Sequence, residues 1–274
     1  MAKINPTAIV HPGAKLADDV EIGPWCSVES DVSIGPGTVL RESVIIRRYT
    51  TLGAGNMVDA FTVLGGEPQD HKFDRATASY LRIGDNNIFR EGVSISRATG
   101  EGLATVIGSG TYWMTQSHAG HNAVVEDGVI LGNNVAVAGH ATIGRRAILS
   151  ANTGIHQFCW VGEMVMTQGG SGISAHVPPF TIMSHGINLI VGLNNVGLKR
   201  SADLTDKDRS EIKEAFNLVY RKGLARKDAI AQMDAHSEWG GPANRFCEFI
   251  QKVYTAKKPY NRGICYLRMK ADEE

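Results

Sequence analysis

The sequence predicts a parallel β-helix followed by a small α-helical domain, on three observations. Aliphatic residues recur at every sixth position from Ile4 to Leu64: Ile4, Val10, Leu16, Ile22, Val28, Ile34, Leu40, Ile46, Leu52, Val58 and Leu64. A small or β-branched residue stands two places before nearly every one, as in Ala8, Ala14, Val20, Cys26, Val32 and Thr38. Beyond about residue 200 the apolar period becomes helical.

A strict six fits neither the 3.6 period of a helix nor the 2 of a flat strand. It is a short internal repeat, each unit a short strand and a turn. Three such hexads make one triangular coil. The large aliphatic points inward and stacks on its equivalent three hexads later, about 4.8 Å away. The small residue also faces inward, near a corner. Glycine follows the aliphatic at Gly23, Gly35, Gly53 and Gly65, where the chain turns.

Residues 1–65 form the first coils. Residues 66–80 contain no hexad and several charges, so they are read as a loop extruded at a coil corner, where an insertion leaves the stack intact. The rhythm resumes at Ile83, Phe89 and Ile95 and breaks again over residues 97–104. It then runs from Ile107 through Trp113, Ala119, Val125, Leu131, Val137, Ile143, Leu149, Ile155, Val161 and Thr167 to Ile173. The β-helix is expected over 1–190, with loops near 66–80 and 97–104. That is about nine coils, or ~40–45 Å of stack.

Pro178-Pro179 is expected to close the regular part, and residues 191–274 to form the helical domain. Thr205 and Asp208 make a capping box ahead of Ile212, Phe216, Val219 and Tyr220, and Gly223 stops that helix. A second helix fits Lys227–His236. A third fits 243–257, after the Gly240-Gly241-Pro242 turn.

Composition bounds the function. The 274 residues are 43% hydrophobic, enough for a real core, and 31 glycines suit a turn-dense repeat. The 28 basic and 28 acidic residues cancel, which gives no global case for nucleic acid. Residues 198–274 hold 16 Lys or Arg against 12 Asp or Glu, a mildly basic tail that suits an acidic partner or a solvated helix surface. Cys26 and Cys159 fall on the small inward position. Cys247 and Cys265 lack a metal spacing, so a reduced, cytoplasmic protein is expected. The N-terminus lacks the apolar stretch of a signal peptide, and no run approaches the roughly 20 apolar residues of a membrane span. The open faces of such a solenoid favour symmetric association.

Four of the nine histidines, His118, His121, His140 and His156, lie in the second repeat block, and none occupies an inward position. Spacings of 19 and 16 put His121, His140 and His156 on successive coils. A solvent-facing ladder of histidines has no folding purpose. A neutral imidazole could take a proton from a hydroxyl or amine as it attacks an activated acyl group. Metal binding would need three converging ligands, and no metal site is expected.

The motifs then become specific. His118-Ala-Gly-His121, Gly139-His140, Ile155-His156-Gln157-Phe158-Cys159, Val177-Pro178-Pro179-Phe180, Asn194 and Gly197-Leu198-Lys199-Arg200, with Gln69-Asp70-His71-Lys72 in the first loop, span most of the chain. In this order they resemble the UDP-N-acetylglucosamine O-acyltransferases that begin lipid A synthesis, among the hexapeptide-repeat acyltransferases. The resemblance implies a left-handed helix and a homotrimer with sites between subunits. It implies a 3-hydroxyacyl thioester on the phosphopantetheine of acyl carrier protein as donor, with no other cofactor, and a UDP-amino sugar as acceptor. His121 matches the general base and Gly139 the oxyanion glycine. His118 and His140 match the lining of the sugar site, and His156 and Gln157 the nucleotide side. Asp70 and Lys72 match the loop that holds the sugar and the acyl hydroxyl. Asn194 and Arg200 match the donor entrance, and Gly169 the position that sets acyl length, where glycine leaves a deep groove.

Three departures stand out: Asn122 where the family has aspartate after the base, Ser96 where it has histidine, and Val196 and Ser201 where it has an acid and a second arginine. An asparagine can orient the base but supplies no charge. Loss of the acid leaves two further readings open: N-acyl transfer to a UDP-3-amino sugar, whose amine is the better nucleophile, or a non-catalytic trimeric scaffold for carrier protein or nucleotide sugar.

Overall fold

A computed structural model describes residues 1–236 and 238–268. The hexads form short strands, and each pairs in parallel with the strand three hexads on: Lys3 with Glu21, Ile9 with Ser27, Lys15 with Ser33. The strands sort by threes into sheets of twelve, ten and eight. These make the first face (Ile4, Ile22, Leu40), the second face (Val10, Val28, Ile46) and the third face (Leu16, Ile34, Leu52) of a coil stack. The aliphatic positions are buried from Ile22 onward, as the repeat requires, and so are the small inward residues. Polar residues on the small inward position pair with one another. Asn56 accepts from Asn87 at 2.9 Å, and Asn87 accepts from Thr111 at 2.6 Å. All four cysteines are buried and free, and burial pushes the Cys159 thiol up to about 11 and Cys247 up to about 12.

Corners of the stack place non-glycine residues in the left-handed region, among them Asn122, Asn134, His140, Asn152 and Phe158. Asparagine tolerates that backbone. For His140 and Phe158 it costs about 1–2 kcal/mol each, and their rings stack on each other at 4.8 Å.

Both loops leave the stack at one corner. The chain passes from Val63–Gly66 on the second face to Tyr80–Ile83 on the third, and again from Ser94–Ser96 to Ala104–Ile107. Strand pairing bridges each insertion without a break: Thr50 pairs with Leu81 across the first, and Tyr80 with Ala104 across the second. The stack therefore continues beneath both loops. Arg97, only 1% exposed, pins the first loop: its Nη1 donates to the Thr77 carbonyl at 2.7 Å, and its guanidinium lies between the Tyr49 and Phe73 rings.

Past Pro178-Pro179 the structure departs from expectation. Strands Thr181–Met183 and Gly186–Ile187 continue the first and second faces, so the prolines do not close the stack. Strand Leu189–Leu193, which straddles the expected 190/191 boundary, runs antiparallel to Thr181–Met183. A last strand, Tyr266–Leu267, returns to pair with its free edge. Between them lie α1 (Asn195–Arg200), α2 (Asp206–Tyr220), α3 (Arg226–Ala235) and α4 (Gly241–Thr255). The Thr205–Asp208 capping box is formed. The helices α2 and α4 bury Ile212, Phe216, Phe246 and Ile250 in a core continuous with the β-helix. No helix among the described residues is long and apolar enough to cross a membrane.

Candidate active site

The corner that carries both loops also carries the histidines. Successive coils align four columns there. On the second face, His118 is followed by Ala136, Gly154 and Gly172 in register. Just past each strand come Gly120, Ala138, His156 and Ser174, then His121, Gly139 and Gln157, then Asn122, His140 and Phe158. Small residues (Gly120, Ala136, Ala138, Gly139, Gly154 and Gly172) stand between the histidines in these columns, and they leave a cavity of about 530 Å³. It is lined by His118, His121, Gly139, His156 and Gln157, with Gln69 reaching in from the first loop.

His121 and His140 meet edge to face with centroids 5.2 Å apart. The His121 ring lies on Gly139: a Cβ there would stand 2.8 Å from its Nε2 and Cε1. Only glycine leaves room for the ring. Among the described residues no acceptor takes the Gly139 N–H.

Asn122 Oδ1 is 3.0 Å from His121 Nδ1, and it accepts the Thr99 N–H at 3.0 Å and the Thr99 hydroxyl at 2.8 Å. The amide nitrogen turns to the Thr99 carbonyl at 3.4 Å. A backbone N–H can only donate, so this pair fixes which way the amide faces. The atom facing His121 is an acceptor. The imidazole therefore carries its proton on Nδ1 and presents a lone pair at Nε2, toward the cavity and Gly139.

His118 Nδ1 lies 3.0 Å from the Ser94 carbonyl and 2.9 Å from its hydroxyl. The carbonyl requires the proton on Nδ1, as in His121. Burial holds His118 below the ordinary histidine range, against the Ser94 contact, which raises it. His140 is also held low, by burial first and by His121 next. An uncharged His140 avoids a second cation beside the base. Rings continue inward from it: Phe158 meets Tyr260 at 5.3 Å, Tyr260 stacks on Trp160 at 5.3 Å, and Trp160 on His176 at 4.3 Å.

Other residues singled out from the sequence lie elsewhere within the protomer. Asp70 closes a turn of the first loop by accepting the Lys72 N–H at 2.9 Å, and both side chains are exposed. Gly169 is exposed where the first face passes to the second, and a Cβ there would make only an ordinary 3.4 Å contact with the Ala151 carbonyl. Asn194 is buried as the cap of α1: it accepts the Gly197 N–H at 3.0 Å and donates to the Met164 carbonyl at 3.0 Å. Its side chain is thus committed to the fold. Arg200, the last residue of α1, is exposed. A single chain therefore brings together the histidines, Asn122, Gly139 and Gln157, and leaves Gly169, Asn194 and Arg200 at other corners. Among the described residues no three His, Cys, Asp or Glu side chains converge to hold a metal ion.

Sequence reasoning missed Thr99, Ser94 and Arg262. Thr99 had a usable signal, since its loop leaves the corner that carries the histidines. Arg262 had none. It lies 106 residues from His156 in sequence, and its guanidinium donates to that ring at 2.8 Å.

A family model for UDP-N-acetylglucosamine O-acyltransferase, domain 2, matches residues 176–265. An acyl-[acyl-carrier-protein]--UDP-N-acetylglucosamine O-acyltransferase from Anaeromyxobacter dehalogenans (strain 2CP-1) is 45% identical over 249 residues, 90% of this chain and 96% of that one. The enzyme of the same name from Gloeothece citriformis is 44% identical over 173 residues, 63% of this chain and 62% of the relative. The solved UDP-N-acetylglucosamine acyltransferase of Francisella novicida superposes with a TM-score of 0.89 at 31% identity, covering 97% of this chain and 95% of the other. The shared architecture is a left-handed parallel β-helix followed by a small helical part.

Proposed function

Since the chain belongs to the acyl-[acyl-carrier-protein]--UDP-N-acetylglucosamine O-acyltransferase family, we propose that it moves a 3-hydroxyacyl chain from acyl carrier protein to the 3-hydroxyl of UDP-N-acetylglucosamine, the first step of lipid A synthesis. The observation that carries this reading is the fixed tautomer of His121, its Nε2 lone pair facing a cavity beside an N–H that has no acceptor among the described residues.

His121 Nε2 takes the proton of the sugar 3-hydroxyl as that oxygen attacks the thioester carbonyl. The tetrahedral oxyanion meets the N–H of Gly139, a residue with no side chain of its own in the way. As the intermediate collapses, the C–S bond breaks and the imidazolium returns its proton to the leaving thiolate. Neither a covalent enzyme intermediate nor a metal is part of this route. His118 and His140 line the sugar side, His156 and Gln157 the nucleotide side, and Asp70 and Lys72 close over the sugar from the first loop.

Gly169, Asn194 and Arg200 stand at corners that do not meet His121 within one chain. The proposed assembly is a homotrimer in which a neighbouring copy brings its Arg200 to the acidic carrier protein and its Gly169 to the acyl tail. Light scattering at micromolar concentration, with a mass three times 29.5 kDa expected, tests it.

Asn122 motivates a second reading, N-acylation of a UDP-3-amino sugar, because an amine needs less help from a base. One assay separates the two. Purified protein is incubated with 3-hydroxyacyl carrier proteins of several lengths and either acceptor, and products are read by mass spectrometry. Acylation of UDP-N-acetylglucosamine that falls about 10²–10⁴-fold in His121→Ala supports O-acyl transfer. Acylation of the amino sugar alone moves the answer to the second reading. Carrier-protein binding without turnover of either acceptor leaves only a scaffold.

A further inference from the structure

The segment before strand Tyr266–Leu267 brings Arg262 back across the stack to the cavity rim. Its Nη2 lies 2.8 Å from His156 Nδ1 and its Nε donates to the Ser174 carbonyl at 3.1 Å. Both His156 and Ser174 line the cavity. Arg262 is held from behind: the His176 backbone N–H donates to the Gly263 carbonyl at 2.9 Å, the Cys265 N–H returns to the His176 carbonyl at 2.9 Å, and His176 Nε2 meets the Tyr260 carbonyl at 2.7 Å. Among the described residues no carboxylate pairs with Arg262.

A guanidinium has five donors and no acceptor. His156 Nδ1 must therefore offer Arg262 its lone pair. The Gln157 carbonyl, 3.2 Å from the same nitrogen, is the weaker neighbour and cannot be its acceptor while Arg262 donates there. The ring proton is left on Nε2, the edge free to face the cavity. The cavity thus holds two opposite tautomers: His121 offers a lone pair at Nε2, and His156 offers an N–H.

We propose that Arg262 is a positioning residue for the nucleotide sugar: it sets His156 as an Nε2–H donor to the anionic, oxygen-rich side of that substrate. The inference rests on the acyltransfer reading above, and names a part of the C-terminal segment as a working part of the site.

The test uses the full-length protein, with initial rates varied in each substrate. Losing one charge-assisted hydrogen bond predicts that Arg262→Ala raises KM for UDP-N-acetylglucosamine about tenfold or more, with KM for the acyl carrier protein and kcat within about twofold. Arg262→Lys, which still donates, restores part of the loss. In a His156→Ala background Arg262→Ala adds less than about twofold, because the residue acts through the ring. A loose C-terminal segment would instead change both KM values and persist in that background, which overturns the proposal. So does an unchanged KM for the nucleotide sugar. Nitrogen-15 spectra of the histidine rings read the tautomer without turnover. His156 protonated at Nε2 in the wild type and changed in Arg262→Ala is the expected signature, and a proton on Nδ1 in the wild type refutes it. If the wild type does not acylate UDP-N-acetylglucosamine, the acyltransfer reading fails, while the spectra still decide the role of Arg262.

Discussion

Asn122→Asp turns the most informative departure from the family pattern into a measurement. The side chain is half-buried, and its Oδ1 stands 3.0 Å from His121 Nδ1 and accepts two bonds from Thr99 at 3.0 and 2.8 Å. An aspartate of the same shape keeps all three contacts, so the ring orientation and tautomer stay as they are. The charge is new, and so is an oxygen in place of the amide nitrogen that donates to the Thr99 carbonyl at 3.4 Å, a long and therefore weak bond whose loss subtracts little from the gain. A full ion pair at ~4 Å in an effective dielectric of ~20 is worth roughly 4 kcal/mol. The proton is only partly transferred in the transition state, and Thr99's two donors withdraw part of the carboxylate charge. About 1.5–2 kcal/mol should reach the barrier, or roughly 10–30-fold in kcat. The assay is single-turnover acyl transfer at saturating UDP-N-acetylglucosamine and acyl carrier protein, so that binding and product release drop out. A single-turnover rate constant unchanged or reduced would refute the assignment of His121 as the base that becomes charged.

Gly139→Ala drives a methyl into the His121 ring, 2.8 Å from Nε2, and is expected to lower kcat at least about 100-fold through both the base and the oxyanion donor, with the melting temperature nearly unchanged; retained activity would remove Gly139 from the chemistry. Leu131→Ala, at a fully buried inward position outside the cavity lining, should cost about 2–5 kcal/mol in urea unfolding and leave kcat unaltered. Arg97→Ala frees the first loop from the Thr77 carbonyl and two rings, and is expected to raise KM for the nucleotide sugar several-fold, read in the same initial-rate assay. Burial holds His118, His140 and His176 below the usual histidine range, so the unfolded chain binds more protons than the folded one in mild acid. Their contribution to stability is complete above about pH 6.5 and is lost as pH falls through the lower folded values. Urea midpoints between pH 7.5 and 5 should therefore decline, and a flat profile would contradict the burial of these rings.

Much of the fold was legible because the hexad is one-dimensional. Each aliphatic touches its own kind three hexads away, so local spacing already encodes the long-range register. The two loops were visible as gaps in that rhythm, and the helical tail as a change of period. The reversal at Leu189–Leu193 was not visible because it falls outside the hexad rhythm, nor was the return of Tyr266–Leu267, because a two-residue strand paired across four helices leaves no periodic trace. In the site, spacing placed His121 beside His140. It could not place Thr99 on Asn122, since loop length conceals where an insertion folds back. Nor could it assign Asn194, whose match to a family motif gave no hint that both ends of its amide are engaged in capping α1 and holding Met164.

The reversal near the C-terminus also gives the molecule two unlike ends. At the N-terminal end the strands at Lys3–Ile4, Ile9–Val10 and Lys15–Leu16 each present an unpaired parallel edge, a surface on which another coil would fit. At the other end, among the described residues, the first face finishes in Leu189–Leu193, antiparallel to Thr181–Met183, and Tyr266–Leu267, parallel to Leu189–Leu193, so the strand direction is reversed there. Head-to-tail growth needs both ends to match. Stacked head to tail, copies would meet on the first face with strands running in opposite directions, so the parallel register of the coils would not carry across the junction.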